Sequence, residues 1–189
     1  MRRRVWIPQR RPVFLGCEGE SERAYGTLIS KLRDDCSRDV HLEVVLLRPG
    51  GGDPLSLVEL ACRKIVENER KRDRRFAVRA ILLDKDRFGE KPERDRLIAP
   101  LAARYRLRLI WQEPCHEALL LRHFEGCQTL RPSSPALAAQ ELRKHWPDYE
   151  KGMSAARLER RIVVESILRA ASVERQLKEF LGDIGFPAG

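Results

Sequence analysis

Short apolar runs that alternate with amphipathic segments are the feature that most limits the fold of this 189-residue chain. Four runs rich in Val, Ile and Leu have the length of buried strands, and helical spacing of apolar residues separates them. The predicted strands cover residues 12–17, 40–47, 76–83 and 107–111. Strands that alternate with helices form a parallel sheet with right-handed crossovers. The sequence therefore predicts an α/β fold with a mostly parallel four-stranded sheet.

Three helices are predicted between these strands. Ser21 is a suitable N-cap for a helix over 21–35, while Asp53 and Pro54 have the residue types of an N-cap and a first helical position. A third helix is expected around 91–104. By analogy with common doubly wound folds, we expect the strand order 2-1-3-4, which makes the first and third strands neighbours.

The second half of the chain is predominantly helical. A helix is predicted from Pro114, with this proline at the first helical position, to the break at Gly126. Further helical patterns cover 135–146, 154–170 and 172–182. We interpret these helices, from about residue 114, as an α-helical C-terminal extension that covers the sheet. The predicted organisation is a basic arm over 1–11 and a single domain over 12–189.

The charge distribution favours a phosphate-rich partner. The net charge is +9, and the arm over 1–11 contains five arginines and no acid. A second basic cluster lies within 63–79, and clustered arginine is the electrostatic footprint of nucleic-acid binding. A solvated helix face is the alternative interpretation of that cluster. The predicted contacts to a nucleic-acid backbone are Arg2, Arg3, Arg4, Arg10, Arg11, Arg70, Lys71 and Arg72.

Other features of the sequence indicate the cellular compartment in which the protein works. Hydrophobic residues make up 42% and charged residues 34%, as in a soluble globular protein, and no apolar run is long enough to span a membrane. The basic N-terminus is not followed by the apolar segment of a secretory signal. Five dispersed cysteines without a Cys-x-x-Cys motif fit free thiols in a reducing cytosol. We therefore predict a cytoplasmic protein.

Two acidic motifs follow the first and third predicted strands. The first is Glu18-Gly19-Glu20-Ser21-Glu22, and the second is Asp84-Lys85-Asp86. Ligands of open α/β sheets bind outside the carboxyl ends of the strands, so the two motifs are expected to share one crevice. Carboxylates in that arrangement suit Mg²⁺ or Mn²⁺. The predicted metal ligands are Glu18, Glu22, Asp84 and Asp86.

Such a metal site could polarise a phosphodiester and lower the pKa of a bound water. Each motif alone is also compatible with an ordinary role, as an acidic helix start or as a polar loop after a strand. A receiver-type phosphoacceptor site also has acids after strands one and three, but the Glu-rich first motif and the long helical half fit it poorly. A zinc protease is disfavoured because His116-Glu117 is not part of His-Glu-x-x-His.

Glu117 and Lys151 are weaker candidates for the same site. Glu117 lies in a helix that is apolar on most sides, and a buried acid needs a partner such as a metal or a basic side chain. Lys151 could be that partner or a phosphate contact, and an ordinary turn lysine is the alternative. His123 is expected to be a structural histidine. The candidate catalytic residues are Glu18, Asp84, Asp86, Glu117 and Lys151.

Taken together, these motifs resemble the RloB family, which is similar to the Toprim fold. The resemblance covers about 13–153 and includes Pro114-Cys115-His116-Glu117 and Tyr149-Glu150-Lys151-Gly152. It implies a metal-dependent enzyme that acts on phosphodiester bonds, with Glu18 as the site acid, Asp84 and Asp86 as metal carriers and Glu22 as a further ligand. It also implies a role in restriction or abortive infection beside an ABC-type ATPase.

The leading expectation is a Mg²⁺- or Mn²⁺-dependent nuclease in anti-phage defence. Two alternatives remain open at this point: a non-catalytic sensor or docking subunit of an ATPase-containing complex, and a basic nucleic-acid-binding adaptor. The sequence leaves open DNA or RNA as substrate, and a monomer or a homo-oligomer as the acting species.

Overall fold

The computed structural model describes residues 10–36, 39–48 and 52–187. Its sheet contains four parallel strands in the order β2-β1-β3-β4. The strands are β1 (Arg11–Cys17), β2 (Val40–Leu46), β3 (Val78–Asp84) and β4 (Arg108–Gln112). The predicted α/β class, parallel sheet and strand order are confirmed. We call the end of the sheet where the strands begin the amino edge, and the end where they finish the carboxyl edge.

Helices cover both faces of the sheet and form a C-terminal layer, as predicted. They are α1 (Glu20–Asp34), α2 (Pro54–Arg72), α3 (Pro92–Tyr105), α4 (His116–Leu121), α5 (Pro135–His145), α6 (Ala155–Leu158), α7 (Val164–Val173) and α8 (Arg175–Asp183). Each of the first three crossovers contains one helix, which returns the chain to the amino edge.

The core consists of two apolar layers because successive residues of a strand face opposite sides of the sheet. Val13 and Leu15 belong to the layer formed with α1 and the C-terminal helices, whereas Phe14 belongs to the layer under α2 and α3. Helix α1 lies very close to the sheet at Gly26, where an added methyl group would lie 2.9 Å from Leu15 Cδ2. Glycine at this position therefore permits the tight packing that fixes α1 over β1.

The structure confirms the predicted start of α2 but not that of α1. Asp53 is the N-cap of α2, since its carboxylate accepts a hydrogen bond from the Ser56 N–H at 3.1 Å, and Pro54 is the first helical residue. Ser21 is not the N-cap of α1: the helix begins at Glu20, after Gly19. The Ser21 hydroxyl instead accepts a hydrogen bond from the Gly152 N–H at 2.8 Å, which links α1 to the C-terminal layer.

Pro114 is not the first residue of a helix, contrary to the prediction. It follows a cis peptide bond from Glu113, and helix α4 begins two residues later, after Cys115. The Pro114 carbonyl accepts a hydrogen bond from the Lys85 N–H at 3.0 Å, so this segment is a loop bound to the end of β3. The helix predicted over 154–170 is also wrong: it is divided into α6 and α7 by a turn before Val163.

Long side chains at the amino edge bind the last part of the described chain. The buried guanidinium of Arg33, near the end of α1, donates to the Ile184 carbonyl at 3.0 Å and to the Val40 carbonyl at 3.2 Å. Arg11, at the start of β1, donates to the Asp183 carbonyl at 3.0 Å. The first and last described segments therefore lie together at the amino edge.

All five cysteines are free thiols, and four of them are buried, whereas Cys36 is exposed. Within the described residues, we find no helix with the length and apolar character needed to cross a bilayer.

Candidate functional site

Glu18 and Asp84 lie at the ends of adjacent strands. Cys17, the last residue of β1, pairs with Leu82 of β3, so the next residues of both strands emerge at the carboxyl edge. Glu18 follows Cys17 directly, and Asp84 is the final residue of β3. Neighbouring strands are about 4.8 Å apart. The structure therefore places the two acidic motifs side by side at the carboxyl edge, as the strand order expected by analogy with doubly wound folds predicts.

Glu22 reaches the same crevice from the first turn of α1. Its carboxylate, which is buried, accepts a hydrogen bond from the Gly19 N–H at 3.1 Å. A methyl group on Gly19 would lie 2.9 Å from Glu22 Oε2, although the backbone of Gly19 is extended and open to any residue. A side chain at this position would therefore displace the Glu22 carboxylate, while the backbone conformation itself does not require glycine.

The carboxylates at this edge repel one another. Burial raises the pKa of Asp84 to about 9, and the charges of Glu22, Glu18, Asp86 and Glu117 add to the increase. Burial also raises the pKa of Glu18 to about 7, with further contributions from Glu22 and Asp86, while the backbone N–H of Asp84 and the charge of Arg87 act in the opposite direction. The edge holds protons at neutral pH because its acids are desolvated and close together.

Asp84 also has an unsatisfied oxygen. Its Oδ1 atom is buried and has no hydrogen-bond partner among the described residues. No group of three or more His, Cys, Asp or Glu side chains in the described parts of the chain is arranged as a ready-made metal site. The residues nevertheless fit Mg²⁺ or Mn²⁺, because such ions take one or two carboxylates and complete their shell with water and substrate phosphate. Asp84 together with Glu18 or Glu22 would hold the ion.

Glu117 enters the crevice from the first turn of α4 and has two partners. The buried Tyr149 hydroxyl donates to Glu117 Oε1 at 3.2 Å, and Lys151 Nζ lies 4.0 Å from the same oxygen. Burial acts to raise the pKa of Glu117, but its own backbone N–H and the charge of Lys151 outweigh burial and lower it. Glu117 is therefore an ionised acid with a basic neighbour, as the alternative of a buried acid with a lysine partner anticipated.

Two buried histidines lie behind the acids. The Nδ1–H of His123 donates to the Leu119 carbonyl at 2.9 Å, and Nε2 accepts from the Tyr25 hydroxyl at 2.9 Å. Burial lowers the pKa of His123 to about 4, so it is a neutral structural residue. His116 bonds through Nδ1 with the Gln112 amide at 2.8 Å, and its Nε2 has no partner among the described residues.

Comparison with protein-family models found a match over most of the chain. The model of the family described as RloB-like protein matches residues 13–181, which include β2, β3, β4, all but the first two residues of β1, and the acids of the carboxyl edge. The chain belongs to the RloB-like family. Searches of curated proteins and of solved structures found no match to it.

Basic groups of this RloB-like chain surround the acids. Lys85 and Arg87 follow Asp84 in the loop after β3, where Lys85 pairs with Glu113 at 3.0 Å and Arg87 with Glu90 at 3.4 Å. Lys151 is the partner of Glu117. Tyr149 also lines a neighbouring cavity of about 540 Å³, whose rim carries Arg160. The carboxyl edge therefore combines acids that can hold a cation with cations that can contact a phosphate chain.

The predicted nucleic-acid contacts of the RloB-like chain lie elsewhere. Arg2, Arg3 and Arg4 are outside the described residues. Arg10 pairs with Asp34 at 3.2 Å, Lys71 pairs with Glu67 at 2.6 Å, and Arg72 pairs with Glu43 at 2.6 Å. Arg11 and the exposed Arg70 complete the predicted set. The described members lie near the start of β1 or the end of α2, at the amino edge, so the structure does not bring them to the acids.

Sequence reasoning missed several residues of the site. Tyr149 belongs to a recognised motif, but only the folded chain shows its bond to Glu117. Ser21 and Gly152 join segments far apart in sequence, and no local pattern signals that bond. The sequence positions of Lys85 and Arg87, one and three residues after Asp84, were local signals of cations beside the acids.

Proposed function

We propose that this chain is a Mg²⁺- or Mn²⁺-dependent nuclease whose active site is the carboxyl edge of the sheet. The observation that carries the proposal is the meeting of Glu18, Glu22 and Asp84 at adjacent strand ends, with a buried Asp84 oxygen that lacks a partner among the described residues. Buried like charges of this kind favour a cation. Membership of the RloB-like family, together with its resemblance to Toprim enzymes, supports phosphodiester cleavage as the reaction.

In this proposal each acid of the carboxyl edge has a role that follows from its position and burial. Asp84 together with Glu18 or Glu22 holds the ion, and the exposed Asp86 binds a second ion or orients a water molecule. A bound divalent ion would polarise the phosphodiester and favour hydroxide at its inner shell. Binding requires Glu18 and Asp84 to release their protons.

On the other side of the crevice, Lys151 is positioned to contact a substrate phosphate. Its side chain is 78% exposed, and the charge of Glu117 raises its pKa, so it remains protonated. Glu117 in turn is oriented by Tyr149. We assign Glu117 and Lys151 to positioning of the phosphate, close to the acids that would hold the ion.

Cleavage assays test the proposal. The full chain is incubated with single- and double-stranded DNA and RNA, with Mg²⁺ or Mn²⁺ and with EDTA. Glu18→Gln and Asp84→Asn should abolish metal-dependent cleavage, whereas the matched control Glu125→Gln, at an exposed acid remote in sequence from both motifs, should retain it. Equal cleavage by all variants would identify a contaminating nuclease and remove the support for this active site.

A non-catalytic subunit is the second candidate, and the absence of a ready-made three-ligand group among the described residues is the observation that favours it. In this alternative the acids bind a cation weakly and without catalysis, and the chain docks on an ATPase partner. Metal binding without cleavage, both alone and with an ABC-type ATPase encoded beside it, would support that role over the nuclease.

A further inference from the structure

A large cavity lies at the amino edge, at the opposite end of the sheet from the acids. Its volume is about 810 Å³, and its walls come from the starts of β3 and β4 and the ends of α2 and α3. A second cavity of about 480 Å³ adjoins it, because Val66 and Tyr105 line both. Strand β3 separates this surface from Asp84 by about 20 Å, at roughly 3.3 Å per residue.

The acids in these cavities are already matched with basic partners. Glu69 pairs with Arg79 at 2.7 Å, and Asp183 pairs with Arg108 at 2.6 Å. In the adjoining cavity, Glu67 pairs with Lys71 at 2.6 Å. The acids that line these cavities are thus paired within the protein, and none of them is left to pair with the exposed arginines described next.

Several exposed arginines of the same surface have no acidic partner among the described residues. They are Arg63, Arg70, Arg75, Arg104 and Arg106. Favourable interaction with helix C-termini accounts for cations in the last turns of α2 and α3, as at Arg70 and Arg104. It does not account for Arg63, which lies in the middle of α2, or for Arg75, which lies after the end of that helix.

We infer that the amino edge is a second nucleic-acid-binding surface, built for the phosphate backbone and separate from the acidic crevice. The uncompensated groups are all guanidinium groups, whose planar fork matches phosphate oxygens in pairs. Val66, which is 50% exposed, and the Tyr105 ring lie where the two cavities meet and offer an apolar contact for a sugar or base. This surface enlarges the predicted Arg70–Lys71 cluster, and it stands whether or not the carboxyl edge cleaves nucleic acid.

An acidic protein is the other polyanion that such a surface could bind. Stable protein interfaces usually have an apolar centre surrounded by polar groups. Here Val66 is the one exposed large apolar side chain among the described lining residues, and arginines line both adjoining cavities, which suits a chain of regularly spaced phosphates better.

Charge reversal at matched positions tests the inference. The double variant Arg70→Glu, Arg106→Glu changes the amino edge, and the control Arg96→Glu, Arg143→Glu changes exposed arginines that do not line these cavities. Both variants lower the net charge by the same amount, so a general field effect is equal in the two proteins. Circular dichroism and thermal melting establish that each variant is folded.

Binding is measured by fluorescence anisotropy with labelled duplex DNA and single-stranded RNA, in EDTA, over a series of salt concentrations. The amino-edge variant should bind at least about tenfold more weakly, and its salt slope should be smaller by about two, whereas the control should stay near wild type. Equal loss in both variants, or no loss in either, would overturn the inference.

A competition experiment and a crevice variant complete the test. Polyglutamate should compete poorly with nucleic acid; equal competition would instead indicate a site for acidic proteins and overturn the assignment. Asp84→Asn is measured beside the charge-reversal variants in EDTA; weakening equal to that of the amino-edge variant would show that the nucleic acid is held at the crevice and would overturn the inference. Failure of the nuclease proposal would therefore leave this binding result unchanged, and the reverse also holds.

Discussion

The two edges of the sheet have opposite electrostatic character. At the carboxyl edge, acids lie together without enough basic partners, and the pKa of Asp84 rises to about 9. At the amino edge, the acids are matched and the surplus is arginine, as at Arg75 and Arg106. The net charge of +9 conceals this separation. The comparison teaches that a net charge can hide two local surpluses of opposite sign, which on our proposals match a cation at one edge and a polyanion at the other.

The largest expected effect concerns the pH dependence of stability in metal-free protein. The pKa of Asp84 is about 9 in the folded chain against 3.8 for a free side chain. Between these values the folded state retains a proton that the unfolded state has lost, so stability falls as pH rises. From about pH 6.5 to 9, urea unfolding in EDTA should show a loss of about 3 kcal/mol that Asp84→Asn removes. An equal decrease of the free energy of unfolding with pH in both proteins would show that burial and the neighbouring acids do not hold Asp84 protonated.

Metal binding should reverse that loss. At about pH 8, Mn²⁺ at roughly a hundredfold excess over its Kd should stabilise the wild-type chain by about 2.7 kcal/mol. Asp84→Asn should show almost no increase in melting temperature, because it lacks one carboxylate ligand. Charge reversal at Arg70 and Arg106 should leave the metal effect intact, and its disappearance there would show that the two edges are not independent.

At the amino edge, we expect arginines to differ according to their partners. Arg79 is mostly buried, pairs with Glu69 and donates to the Tyr105 carbonyl at 2.6 Å. Arg79→Gln should lower the free energy of unfolding by about 2 kcal/mol, since it leaves Glu69 without its cation. The neighbouring Arg75→Gln should be neutral. Equal destabilisation by the two changes would mean that Arg75 is also a structural residue.

The smallest effect is expected at Gly19. Gly19→Ala should displace the Glu22 carboxylate, because the new methyl group would lie 2.9 Å from Glu22 Oε2. The Kd for Mn²⁺, measured by calorimetry, should rise about tenfold, or about 1.4 kcal/mol. Gly182→Ala, where nothing lies within 4 Å of the added methyl group, is the matched control. Unchanged affinity in Gly19→Ala would remove Glu22 from the ligands.

The sheet and its acidic edge could be predicted from sequence because their signals are local. Apolar runs mark each strand, and Glu18 and Asp84 directly follow two of them. The start of α2 is equally local, since Asp53 bonds the Ser56 N–H within one turn.

Features that depend on distant parts of the chain could not be predicted in the same way. Ser21 has the residue type of an N-cap, but its hydroxyl accepts a hydrogen bond from the Gly152 N–H. The Glu22 carboxylate accepts the hydrogen bond from the Gly19 N–H instead. Pro114 has the residue type of a helix start, but its carbonyl binds Lys85. The matching of acids with arginines at the amino edge likewise depends on how α2, β4 and α8 pack.

The bonds from Arg11 and Arg33 to the carbonyls of Asp183 and Ile184 have a practical consequence for engineering. They gather both extremities of the described polypeptide on one side, away from the acids. A fluorescent label attached at Pro187, the last described residue, would therefore lie on the side of the amino edge, away from the acids.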